Sequence, residues 1–116
     1  LGHLREMSRG SKVRVRLHAA AIPLLPGVVA LAEMGLVPGG TKRNLEAVAE
    51  TVRWDAGIPE ALRAVIGDAQ TSGGLLVATP DGPALLTALA AAGVEGAARI
   101  GEVLADDPLG TIEVAP

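Results

Sequence analysis

The sequence has no cysteine, no phenylalanine and no tyrosine, and its only aromatic residue is Trp54. Without cysteine, disulfides, thiolate zinc sites and cysteine nucleophiles are all excluded, which suits a reducing cytoplasm. Without aromatics, the core has to be built from Ala, Val, Leu and Ile. The stacking platforms that hold single-stranded nucleic acid are missing too. Charge of one sign is also scarce: the net charge is −3, and basic residues cluster only at Lys12, Arg14 and Arg16. That is no footprint for a nucleic-acid backbone, so no nucleic-acid partner is expected. Apolar runs are broken by Pro, Gly or charge well short of a membrane span, and no membrane association is expected. The first residues carry His3, Arg5 and Glu6 at helical spacing rather than an apolar signal region.

What is present suffices for one domain. The 116 residues are 49% hydrophobic and 20% charged, the balance of a chain that folds around a single modest core. Leu1 to Arg9 reads as the end of a helix closed by Gly10, and the chain reads as a fragment of a longer protein, cut inside that helix. Lys12 to His18 alternates strictly, which predicts a half-buried strand with Val13, Val15 and Leu17 inward and a solvated basic face. Pro26 to Met34 reads as a short helix closed by Gly35, followed by a loop to Gly40. Thr41 is expected to cap a helix carrying Leu45, Val48 and Ala49 on one side.

Further along, Val52 to Asp55 predicts a short strand and Pro59 to Ile66 a helix. Gly74 to Ala78 reads as a short buried strand. Pro80 to Gly93 reads as a helix, and Ala97 to Leu104 and Thr111 to Ala115 as closing strands with hairpin-like joins around Asp106 to Gly110. The interleaving predicts an α+β fold, a mixed sheet with helices packed on it.

Two segments have the makings of an anion cradle, which needs several backbone N–H groups aimed at one point. Gly39-Gly40-Thr41-Lys42 stands before a helix, with Lys42 or Arg43 to add positive charge; it is not a P-loop, lacking the Gly-Lys-Ser/Thr order. Its plainer reading is a capped helix start with exposed basic residues. Thr71-Ser72-Gly73-Gly74 offers two hydroxyls and free backbone; equally, its glycines can serve a tight packing turn. Asn44 can bind a ligand or satisfy a nearby loop. Asp68, at the head of the second segment, is expected to hydrogen-bond the backbone of its own turn. His3 and His18 lack metal-ligand spacing, Asp106 and Asp107 read as a solvated turn, and no nucleophile, base and oxyanion set can be assembled. Neither catalytic nor metal-binding residues are expected in this chain.

Three of these segments carry a family resemblance. Asp68-Ala69-Gln70-Thr71-Ser72-Gly73-Gly74-Leu75-Leu76 resembles the Asp-Pro-Gln-Thr-Ser-Gly-Gly-Leu-Leu motif in the C-terminal domain of selenophosphate synthetases (selenide, water dikinases), with Ala69 in place of the common Pro. Val37-Pro38-Gly39-Gly40-Thr41-Lys42-Arg43-Asn44 resembles the family's Pro-Gly-Gly-Thr-x-x-Asn loop. Leu1 to Met7 resembles the helix that follows its Asp-x-Thr-Gly-Phe-Gly-Leu metal motif. The resemblance runs in order along nearly the whole chain.

The resemblance implies a ferredoxin-like variant of the aminoimidazole ribonucleotide synthetase-like C-terminal domain, with a mostly antiparallel sheet. Residues 1–10 would end the helix after the metal motif, and residues 11–116 would form the domain. The parent would be a cytoplasmic, homodimeric transferase of selenium metabolism. It would use ATP, Mg2+, water and selenide to make selenophosphate for selenocysteine biosynthesis, releasing AMP and phosphate. Its nucleophile and metal carboxylates would lie in an N-terminal ATP-binding domain of the same chain, leaving this part inactive alone. Gly39, Gly40, Thr41, Lys42, Asn44, Thr71, Ser72, Gly73 and Gly74 would face the interdomain cleft. A thiamine-phosphate kinase or hydrogenase maturation factor type of relative is the alternative within the fold, and a stand-alone anion-binding module the alternative outside it.

Overall fold

The computed structural model describes residues 1–70 and 73–116. Helix α1 (Gly2–Ser11) leads into strand β1 (Val13–His18) and a 3-10 turn at Ala19–Ala21. Helices α2 (Val28–Glu33) and α3 (Gly39–Val48) follow, then strand β2 (Val52–Trp54) and helix α4 (Glu60–Ile66). Helix α5 (Gly82–Ala91) and strands β3 (Gly101–Asp106) and β4 (Ile112–Ala115) complete the chain.

Alternation in the strands decides which face is covered. Val15 and Leu17 on β1, Ile112 and Val114 on β4 and Val52 on β2 are all buried, two residues apart as a pleated strand requires. Val48 of α3 and Ile58 join them, with Leu1, Leu4, Leu62, Ile66 and Trp54 packed around the edge. Helices α1, α3 and α4 therefore form one layer and the sheet the other. With Trp54 the sole aromatic residue and at the edge, β-branched side chains fill the centre, and Ile112 is fully buried.

The opposite sheet face is charged, and it is not the purely basic face that the alternation suggested. Arg16 has Glu102 and Glu113 as its register partners on the flanking strands. Its Nη2 lies 2.9 Å from Glu113 Oε2. Arg14 reaches Glu113 at 3.5 Å and Asp107 at 3.6 Å, and His18 Nε2 lies 3.5 Å from Glu102. Cross-strand pairs of this kind bring opposite charges together on exposed strands, where each contributes little on its own.

The α+β class and mixed sheet hold, but the sheet is not mostly antiparallel. Its order is β2-β4-β1-β3, with β4 parallel to both β1 and β2 and only β3 antiparallel to β1. The closing strands β3 and β4 form no hairpin. They flank β1 on opposite sides, because the turn between them passes under the start of β1. Asp107 N donates to Lys12 O at 2.7 Å, and Val15 N donates to Thr111 O at 3.0 Å. Ser8, buried in α1, donates its hydroxyl to Gly110 O at 3.0 Å and fixes the turn against the helix. Gly110 has φ +65°, and a Cβ there would sit 2.5 Å from Arg9 N. Only glycine fits that crossing.

Asp107 is consequently no solvated turn residue. It is buried, and its carboxylate accepts from Leu109 N at 2.9 Å and Thr111 N at 3.2 Å. A hydrogen bond from the Thr111 side chain, those backbone donors and nearby Arg14 hold its carboxyl below the ordinary value.

The end of α1 differs from expectation. Gly10 lies inside α1, and Lys12 ends the helix in a left-handed conformation with φ 54°. Helix α5 begins as its sequence indicates, with Asp81 accepting from Ala84 N at 2.9 Å, yet none of its residues is buried. Gly74 to Ala78 is not a buried strand. It pairs with no strand among the described residues, and Leu75 is 97% exposed.

Candidate functional site

Asp68 and Ala69, just ahead of the second segment singled out for anion binding, lie against the first where α3 begins. Gly39, Gly40, Thr41 and Lys42 do not precede the helix but form its first turn, with Pro38 at the cap position. Thr41 is therefore not the cap. At the third helical position its side chain points inward, is fully buried, and donates its hydroxyl to Asp68 Oδ1. The same carboxylate oxygen accepts from Ala69 N at 2.9 Å. Asp68 thus holds its own turn, as its sequence position implied, and also ties that turn to α3.

Three more contacts fix this junction. Asn44 Nδ2, one turn further along α3, donates to Gly67 O at 3.3 Å. Asn44 therefore satisfies the neighbouring loop, one of its two sequence readings. Gly67 lies against the side chain of Leu45, where any Cβ would collide, so glycine permits the close approach of α4's end to α3. A Cβ on Gly40 would lie 3.4 Å from Ala69 Cβ, in ordinary contact. Arg5 Nη1 donates to Ala47 O and brings α1 alongside.

A polar depression of about 400 Å³ opens at this junction, lined by Leu1, His3, Glu6, Asn44, Asp68 and Gln70 among others. Of the residues expected to face a cleft, Asn44 lines it. Gly39, Gly40, Thr41 and Lys42 do not, although Lys42 is exposed on the first turn of α3. Thr71 and Ser72 lie outside the described residues, and so does the expected juxtaposition of their hydroxyls with Gly39–Asn44. Gly73 and Gly74 are exposed; Gly74 borders a second, more apolar groove, and a Cβ on Gly73 would stand 2.5 Å from Gln70 Oε1. Gly74 carries no left-handed φ, and a Cβ there meets nothing within 4 Å, so the strained-turn reading of that residue fails.

Sequence reasoning missed Glu6 and Gln70 as lining residues. The signal for Glu6 was available, since His3 and Glu6 are three apart on a helix and share a face. Thr41 and Asp68 have no such local signal.

The donor set does not fit a metal ion. Among the described residues no three His, Cys, Asp or Glu side chains converge. Asp68 Oδ1 is already engaged by Thr41 and Ala69. The first turn of α3 carries the exposed cations Lys42 and Arg43 outside the depression, while Thr41 N already donates to Pro38 O at 3.0 Å and Asn44 Nδ2 to Gly67 O. A helix start with two cations favours negative charge beside it.

This architecture is that of a known domain class. Residues 1–112 match the family model described as AIR synthase related protein, C-terminal domain, and the chain belongs to that family. Among individual proteins, it is 54% identical to the selenide, water dikinase of Myxococcus xanthus over 93% of its own length and 31% of that protein. It is 42% identical to the selenide, water dikinase of Pelobacter propionicus over 98% of its length and 33% of the relative. The selenide, water dikinase of Pseudomonas aeruginosa is 45% identical over 90% of the chain and 30% of the relative. The chain spans about a third of the length of the curated relatives it matches.

Proposed function

We propose that this chain is the C-terminal domain, residues 11–116 with the end of a connecting helix at 1–10, of a selenide, water dikinase. The observation that carries the reading is 54% identity across 93% of the chain to a protein of that name. The quoted relatives share the name, which disfavours the thiamine-phosphate kinase and hydrogenase maturation factor alternatives and the stand-alone module. The parent would convert selenide, ATP and water into selenophosphate, AMP and phosphate in the cytoplasm, as a homodimer.

In that parent the domain works by position. ATP and Mg2+ would be bound mainly by the N-terminal domain, and Mg2+ supplies charge neutralisation on the phosphates. This chain's contribution is the first turn of α3. Its backbone N–H groups and the Lys42 ammonium favour negative charge, and Asn44, held by Gly67, keeps its amide fixed at the depression. The Thr41–Asp68 contact anchors α3 to the 67–70 turn, so that this face does not shift as the cleft fills. Gly39, Gly40, Gly73 and Gly74 would complete the proposed cleft wall.

The test is AMP release by the full-length polypeptide supplied with ATP, Mg2+ and selenide. AMP formation that depends on selenide supports the reading. Phosphorylation of thiamine phosphate instead, with no response to selenide, would overturn it.

A further inference from the structure

We propose that helix α5 is a strap that folds down on the inner face of β3, where its leucines cover Val103 and extend the helix layer over the last open strand of the sheet.

The sheet register places Val103. It stands opposite Val15 on β1, and directly opposed residues of an antiparallel pair project from the same face. Val15 is buried beneath the helices, yet Val103 is 54% exposed. Strands β1, β4 and β2 each carry buried residues on that face, whereas no residue of β3 is buried. At this edge of the sheet an apolar position is left open on the side where its neighbours are covered.

Helix α5 has the complementary need. From Gly82 to Ala91 it carries no charge, and its one polar side chain, Thr87, donates its hydroxyl to Pro83 O within the helix. A helix that is apolar all round is normally a buried one. Isolated helices shorter than about 12–15 residues are also marginal in water, so the ten residues of α5 need a surface to pack on. Among the described residues, however, none of α5 is buried and no other element packs closely along it. Leu85, Leu86 and Leu89 share one side of the helix and form the face that docks.

The connection between the two elements makes the chain's own α5 the occupant, rather than that of a second copy. Residues 92–100 join α5 to β3 and reach up to about 30 Å when extended, enough to lay the helix over the strand. A tether of this length holds α5 near β3 at an effective concentration in the millimolar range. Gly93 and Gly96, both at φ +78°, give the joint two left-handed positions at which the chain turns back.

Hydrogen–deuterium exchange of the 116-residue chain and its Val103→Asp variant tests this. With α5 folded down, a carboxylate at position 103 meets the leucine face, so amides of 85–92 should exchange about tenfold or more faster in the variant, while those of α3 exchange alike. Unchanged exchange in α5 overturns the proposal. Disulfide trapping supplies a second measurement that needs no destabilising charge. The sequence has no cysteine, so Val103→Cys combined in turn with Leu85→Cys, Leu86→Cys and Leu89→Cys oxidises against no background. At least one pair should close within a single chain in most of the sample. Failure of all three pairs overturns the closure, and so does a disulfide that only joins two molecules, which would make a second copy's α5 the occupant.

Discussion

The Thr41 hydroxyl donates to Asp68 Oδ1, joining the first turn of α3 to the turn after α4 across 27 positions of sequence. Thr41 is fully buried, so the carboxylate it serves has no water to replace the lost donor on that side. A hydrogen bond to a charged group is worth roughly 1.5–3 kcal/mol. Thr41→Val, which keeps the shape and removes the donor, should destabilise the chain by about that amount in chemical denaturation. In a double-mutant cycle with Asp68→Asn, the two losses should not add, with a coupling of about 0.5–3 kcal/mol. Additive losses would show that the contact contributes nothing.

Two glycines should respond oppositely to alanine. Gly110 has φ +65° and backs onto Arg9, so Gly110→Ala should cost more than about 1 kcal/mol in thermal or chemical melts. Gly74 has open space where a Cβ would stand, so Gly74→Ala should leave stability unchanged. Equal effects at the two positions would contradict the account of the β3–β4 crossing.

Asp107 should make stability depend on acid pH. Its folded-state pKa is lowered, by the Thr111 side chain first and the Leu109 backbone next. Its contribution is therefore present above the unfolded carboxyl value, about 3.9, and is lost as pH falls through the lower folded value. Asp107→Asn should be less stable than the parent at neutral pH, and the gap should narrow as the pH drops below about 4. A gap that stays constant down to low pH would remove Asp107 from the acid dependence.

Much of the fold was legible because it is written locally. The alternation of Lys12 to His18 gives β1 with Val15 and Leu17 buried, and the run from Pro80 to Gly93 contains α5. What was not legible depends on contacts far apart in sequence. The turn from Asp106 to Gly110 has hairpin composition, yet Ser8 and Lys12, from the start of the chain, hold it beneath β1 and send β4 to the other side. Gly74 to Ala78 has the composition of a buried strand, but composition does not supply a neighbouring strand. At the site, glycine pairs and polar residues marked the two segments. The hydroxyl of Thr41 was assigned to capping because a local acceptor is all that sequence offers; its actual acceptor, Asp68, is contributed by another element.

The 116-residue chain alone should release no AMP from ATP, with or without selenide and Mg2+. The described residues hold no converging metal ligands, and the sequence has no cysteine nucleophile. Turnover by the purified chain comparable to that of the full-length polypeptide would contradict the division of labour proposed above.

If the first turn of α3 helps position the nucleotide phosphates of a larger enzyme, the kinetics of Lys42→Ala in the full-length polypeptide will show it. Lys42 is exposed and forms no ion pair among the described residues, so its loss should leave folding intact. With selenide saturating, the account predicts a KM for ATP raised by about tenfold or more, the size of one charge-assisted contact. An unchanged KM and kcat in a variant that melts like the parent would contradict it.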